Sequence, residues 1–184
     1  MAGTTTKADS LWDQQGLSRF GGDAIQAFAR AHDDKLSLCQ TLEEIADSLP
    51  DEVDKQKCKL AAREIWPLLR SVHSFEEKII FPALADRLAH VDGIDETIAR
   101  LKSEHAEDEC YAEELTDTLL LLGAGDRGVN FDAVGYMLRG FFERYRRHVH
   151  WENALVIPLA RLRLTPEDLR ALSARMDLNR AQSS

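Results

Sequence analysis

The sequence predicts an all-α protein: an antiparallel up-down-up-down four-helix bundle with a short extra C-terminal helix and an N-terminal arm. Three observations predict it. Only ten glycines and five prolines occur in 184 residues, so breakers are few. No segment sustains the apolar–polar alternation with β-branched enrichment that strands require. Apolar residues instead recur at steps of three and four over four long stretches separated by short turn signals. The expected organisation is a flexible arm over 1–18, the bundle over 19–164, and a short helix with a tail over 165–184.

Residues 1–18 are polar, with Leu11 and Trp12 their only large apolar pair, which reads as an arm. Gly21-Gly22-Asp23 then starts a helix over about 23–48 with the stripe Ile25, Phe28, His32, Leu36, Cys39, Leu42 and Ile45. Ser48-Leu49-Pro50 stops it, and Asp51 and Glu52 open the second helix. That helix buries Trp66, Leu69, His73, Glu77, Ile80 and Leu84, with a kink or break expected at Pro67 or Pro82. After the Asp92-Gly93 turn, a third helix over about 95–122 turns Ile98, Leu101, His105, Leu115, Leu119 and Leu122 inward. The loop 123–128 follows, and Asn130 caps a fourth helix over about 131–163. Its stripe is Leu138, Phe141, Tyr145, His148, Glu152, Leu155, Leu159 and Leu162. Thr165-Pro166-Glu167-Asp168 starts the fifth, with Pro at the first helical position and acids in the first turn, and a frayed tail is expected from Arg180.

Composition removes whole classes of function. A formal charge of −9 argues against a nucleic-acid binder. No run approaches the eighteen apolar residues of a membrane span. The first ten residues lack the basic and apolar regions of a secretory signal, and Cys39, Cys58 and Cys110 form neither a closed disulfide set nor a C-x-x-C pair. A reduced, cytoplasmic setting is the expectation. No G-x-G-x-x-G or Walker loop occurs, so chemistry has to sit between facing helices.

The histidines carry the signal. His32 lies about 17 residues before the first turn and His73 about 22 after it. His73 is about 17 before the second turn and His105 about 11 after it, while His105 and His148 are each about 17 from the third. All four therefore come to a similar height on the inward stripe of their own helix. His90, near a helix end, and His150, two residues from His148, do not. His73–Glu77, His105–Glu109 and His148–Glu152 are each H-x-x-x-E, one helical turn apart. Fifteen glutamates and six histidines would give about 0.5 such pairs by chance. A single inward histidine is more often a satisfied core residue than a ligand, but burying several imidazoles and carboxylates together is costly. A bound cation removes that cost by turning them into ligands.

Ligand type narrows the metal. Six nitrogen and carboxylate donors without thiolate exceed a zinc site and do not suit the oxygen shell of calcium or magnesium. Iron fits better, with manganese second. No histidine has Glu three residues before it, which excludes ferritin-like di-iron bundles, and H-E-x-x-H is absent.

The residues resemble the haemerythrin-like (HHE cation-binding) domain family. The pattern is a lone His32, then His73-Ser-Phe-Glu-Glu77, then Glu104-His105, then His148-Val-His-Trp-Glu152. The tails Glu77-Lys-Ile-Ile-Phe-Pro82 and Glu152-Asn-Ala-Leu-Val-Ile-Pro158 extend the likeness, which covers about 22–163. The resemblance implies two irons per chain, oxo- or hydroxo-bridged, held by His32, His73, Glu77, His105, His148 and Glu152 and reached by dioxygen, peroxide or nitric oxide. Oxygen-carrying members have a second His where this chain has Glu109, and Asp at H-x-x-x-x-D where it has Glu152 at H-x-x-x-E. Oxidant sensing or scavenging, peroxide or nitric oxide chemistry, or iron handling therefore fits as well as or better than reversible dioxygen carriage. Glu76, at i+3 from His73, competes with Glu77 for the metal. The alternative is an iron- or redox-responsive sensor or interaction module without turnover that a protein partner reads. The chain is expected as monomer or homodimer.

Three weaker features complete the reading. Tyr145, one turn before His148, is either a hydrogen-bonded core residue or a donor or redox-active phenol beside the metals. Arg144, Arg146, Arg147, Arg161 and Arg163 form a docking patch or, more simply, a solvated face beside acids. Cys58 sits between Lys57 and Lys59, which would lower its pKa, and Cys39 reads as core.

Overall fold

A computed structural model of the chain describes residues 24–88, 93–126 and 128–182. The expected arm, the Gly21-Gly22-Asp23 start and His90 lie outside them. Every regular element among the described residues is helical: α1 (Ala24–Asp47), α2 (Lys55–Phe75), a π-helical turn (Glu76–Ile80), α3 (Phe81–Leu88), α4 (Ile94–Ala124), α5 (Phe131–Ala154), α6 (Val156–Arg163) and α7 (Pro166–Gln182). None of these helices is long and apolar enough to cross a membrane.

The ends follow local chemistry. Asp54, rather than Asp51 or Glu52, caps α2 by accepting from the amides of Gln56 and Lys57. Asn130 caps α5 through Ala133. Gly125, at φ +76°, closes α4: its amide reaches the Leu122 carbonyl and that of Asp126 reaches Leu121. Only a residue without Cβ takes that left-handed turn without strain.

The prolines act differently from one another. α2 runs through Pro67 without interruption. Pro82 has no amide to offer the carbonyl of residue 78, and just before it the helix widens into the π turn, where the Phe81 amide bonds to the carbonyl of Glu76. Pro158 stands in the same relation to residue 154, and there the fourth rod breaks at Leu155 (φ −120°, ψ −57°). That break resets the helical phase. Val156, Ile157 and Ala160 become buried, whereas Leu155 and Leu162, both expected inside, are exposed.

The rods α1, α2–α3, α4 and α5–α6 form a closed ring of neighbours, each touching the rod before and after it in the chain, with α1 against α5. Side-chain pairs show opposed directions. His32, Lys35, Glu43 and Asp47 of α1 meet Asn153, Glu152, Arg146 and Arg139 of α5. Glu104, Asp108 and Tyr111 of α4 meet His148, Arg144 and Met137 of α5. Two apolar cores result. One contains Leu42, Leu69, Leu115 and Phe141, and the other Phe28, Ile80, Phe81, Leu101 and Val156. The polar layer lies between them, sealed at both ends.

α7 is latched to this body. Arg87 of α3 donates two hydrogen bonds to Asp168 (2.8 and 2.7 Å), which also accepts from the Thr165 amide at 2.8 Å. These partners hold the Asp168 carboxyl well below the usual carboxylate range, Arg87 contributing most. A depressed folded pKa means that the latch is complete above the ordinary aspartate range and is lost as pH falls through the folded value. Asp168→Ala is expected to speed amide exchange across α7 at neutral pH while leaving exchange in α2 and α5 unchanged.

Candidate metal centre

The four histidines meet. His32, His73, His105 and His148 are all buried, one on each of α1, α2, α4 and α5. His73 and His105 stack with centroids 4.0 Å apart, Phe81 lies nearly parallel to His105 at 5.8 Å, and Phe28 meets His32 edge-on at 4.4 Å. Rotation of the rings is limited by this packing.

Each imidazole is anchored through Nδ1. His32 Nδ1 is 2.6 Å from Asn153 Oδ1, His73 Nδ1 3.1 Å from Glu109 Oε1, His105 Nδ1 2.8 Å from Glu77 Oε1, and His148 Nδ1 2.8 Å from Glu104 Oε2. A carboxylate can only accept, so in the three Glu pairs Nδ1 carries the proton. The Nε2 lone pairs of these three rings then point inward, and none of the four Nε2 atoms has a hydrogen-bond partner. His105 Nε2 faces Glu76 Oε2 at 3.0 Å, and that oxygen is unpartnered too. Two lone pairs at this distance repel unless a proton or a cation lies between them. Leaving such a buried group unsatisfied costs about 1–3 kcal/mol each. Glu76, His105, His148 and Glu152 each offer a ligand atom within 4.8 Å of one another. Nitrogen and carboxylate donors with outer Nδ1 anchors are what a transition-metal ion requires. The residues fit one.

The predicted residues divide. His32, His73, His105, His148 and Glu152 all reach the interior layer. Glu77 does not: about a third of its side chain is exposed, and it orients His105 instead. Glu76, wholly buried, takes the inward position. The widened π turn turns Glu76, Ile79 and Ile80 inward and leaves Glu77 at the rim. A signal for this was present, since Glu76 precedes Pro82 by six residues just as Glu152 precedes Pro158. Glu109 also stays at the rim, on His73.

Lys35 is the residue that the sequence reading missed. Leu36 was expected in the α1 stripe, but Leu36 is 38% exposed and Lys35 is 0%. The steps 28, 32, 35, 39 and 42 keep one helix face, and Lys35 is on it. Its Nζ lies 2.7 Å from Glu76 Oε1 and 3.3 Å from Glu152 Oε2. Burial works against the ammonium, yet Glu152 and Glu76 outweigh it and raise its pKa. Burial likewise opposes protonation of His32, but Glu152 and Glu76 lift its pKa to about 9. His73 goes the other way, to about 2, through burial and the nearby Lys35 and His105. Glu76 is held well below the carboxylate range: burial opposes this, and Lys35 and His105 prevail.

Other expectations resolve around this layer. Tyr145 is buried, its hydroxyl has no hydrogen-bond partner, and burial pushes its pKa well up. His150 is exposed. Cys58 is buried, and desolvation raises its pKa despite Lys57, the reverse of the expected shift. Cys39 is pushed up to about 12, chiefly by burial. Arg144 pairs with Glu107 and Asp108, and Arg146 with Glu43, so that part of the arginine face is neutralised by acids.

A cleft of about 540 Å³ between α4 and α5, lined in part by Arg100, Glu104, Arg144 and Trp151, reaches His148. The family model described as Hemerythrin HHE cation binding domain matches residues 23–160. No curated protein and no solved structure matches the chain.

Proposed function

Because the chain belongs to the hemerythrin HHE cation-binding domain family, we propose that it is a non-haem iron protein that binds or reduces a small oxidant: dioxygen, peroxide or nitric oxide. In this reading the rods form an up-down-up-down four-helix bundle, and its central layer holds the iron. The observation that carries the proposal is the set of four buried Nε2 atoms without hydrogen-bond partners, three of which, on His32, His105 and His148, face Glu76 or Glu152. Glu76, His105, His148 and Glu152 are the inner donors, with His73 and His32 beside them. Glu77, Glu104 and Glu109 orient the rings from outside. Bound iron would supply the redox chemistry. The protein excludes bulk water, fixes the donors, and brings a cleft up to His148 from which a small molecule would enter.

Two bridged irons, as the resemblance implies, would have to be held by these same donors, with Glu76 and Glu152 as the inner carboxylates. The iron reading is tested by anaerobic loading with ferrous iron, followed by exposure to dioxygen, hydrogen peroxide or nitric oxide. The expected result is bound iron whose absorption spectrum changes with at least one of the three. A chain that binds no iron, or one whose iron ignores all three, overturns it.

A further inference from the structure

We propose that Lys35 is a built-in second cation, so that this centre holds one iron and one ammonium where two irons would otherwise share the carboxylates. The inference rests on the iron reading above and concerns the number of ions. Glu76 is divided between two neighbours: Oε1 meets Lys35 Nζ at 2.7 Å, whereas Oε2 faces His105 Nε2 at 3.0 Å. Glu152 Oε2 lies 3.3 Å from the same Nζ and 3.3 Å from His148 Nε2. Glu76 thus links the ammonium through one oxygen to an imidazole through the other, whereas Glu152 meets Lys35, His148 and His32 through Oε2 alone and leaves Oε1 unpartnered. A carboxylate bridging two metal ions has the arrangement of Glu76, with Nζ in the place of one ion.

Charge supports the substitution. With the Lys35 ammonium counted, Glu76 and Glu152 leave the buried set one negative charge, and a single ferrous ion already turns it net positive by one. A second would add two more positive charges beside a wholly buried ammonium, and repulsion between like charges is strong where water is excluded. Having no solvent-exposed part, Lys35 has no nearby solvated position to move to without repacking.

A second observation points the same way. Three histidines are anchored by glutamates, but His32, the one on the side of Lys35, is anchored by the neutral amide of Asn153. Outer carboxylates strengthen imidazole ligands, and His32 lacks one. The four donors that cluster within 4.8 Å of one another include neither His32 nor His73, and His32 Nε2 meets Glu152 at 3.1 Å on the side that Lys35 occupies.

The test is iron stoichiometry on the full-length chain, titrated anaerobically with ferrous iron and then exposed to air. The wild-type protein is expected to bind one iron per chain and to lack the near-ultraviolet band of an oxo-bridged pair. Lys35→Met, which keeps the length and removes the charge, is expected to bind two and to gain that band. Wild-type protein with two irons overturns the role of Lys35 and leaves the functional reading intact. Lys35→Met that still binds one shows that the ammonium is not what excludes the second ion. A fall below one would make Lys35 a ligand and also overturn the proposal. Should Lys35→Met fail to fold, Lys35→Gln gives the same comparison, and a wild-type count of two still overturns the proposal. Wild-type protein without iron overturns the functional reading, and this inference with it.

Discussion

Replacing His105 with alanine is expected to lower the affinity for ferrous iron by more than about 100-fold, measured by anaerobic titration. Removing only the outer partner of a metal-bound histidine typically costs about 10–100-fold. His105 is itself one of the four donors within 4.8 Å of one another, so its loss has to exceed that. Glu77→Gln is the graded control. It touches His105 only through Nδ1 at 2.8 Å, and glutamine can still accept that hydrogen bond. Its effect is expected near the lower end of the outer-partner range. Phe81 and His73 both stack on His105, so a melting curve of the iron-free variant separates lost ligation from lost packing. Unchanged affinity in a folded His105→Ala protein would show that the ligand set is wrong.

The iron-free Lys35→Met protein is expected to be less stable by about 3 kcal/mol, with a melting temperature lower by roughly 6–12 °C. Removing one partner of a buried ion pair strands the remaining charge, and here two carboxylates are stranded. The estimate sits at the lower end of the usual range for such a loss because His32, within 3.1 Å of Glu152, stays to compensate. Iron should raise the melting temperature of the variant more than that of the wild type, because the metal then neutralises carboxylates that no ammonium meets. An iron-free variant as stable as the wild type would mean that the Lys35 pairs contribute nothing net. Differential scanning calorimetry with and without ferrous iron makes the comparison.

The site was partly legible in the residues themselves. Three H-x-x-x-E pairs and a lone inward His32 place four imidazoles in one layer because each spacing is local to its helix, and helical pitch converts it directly into a face. The glutamates were harder. His73 has two candidates one turn on, Glu76 and Glu77, at about −60° and +40° around an ideal helix, so periodicity alone does not separate them. The π turn just before Pro82 separates them. The leucines of the fourth rod show the same limit. Leu155 and Leu162 fit an unbroken stripe, and the break near Pro158 puts them outside.

By itself the sequence determined the helical class, the apolar stripes apart from Leu36, Leu155 and Leu162, the helix caps at Asn130 and Thr165, and the layer of four histidines. All of these arise from contacts within about one helical turn. The tertiary structure alone decided which carboxylates enter, which groups hold the rings from outside, and that an ammonium shares the centre. Lys35 looks like a solvated residue beside Leu36, since its partners lie 41 and 117 residues away. A lysine becomes a core residue only when distant chain segments bring it counter-charges that offset its desolvation, and no local spacing encodes their arrival.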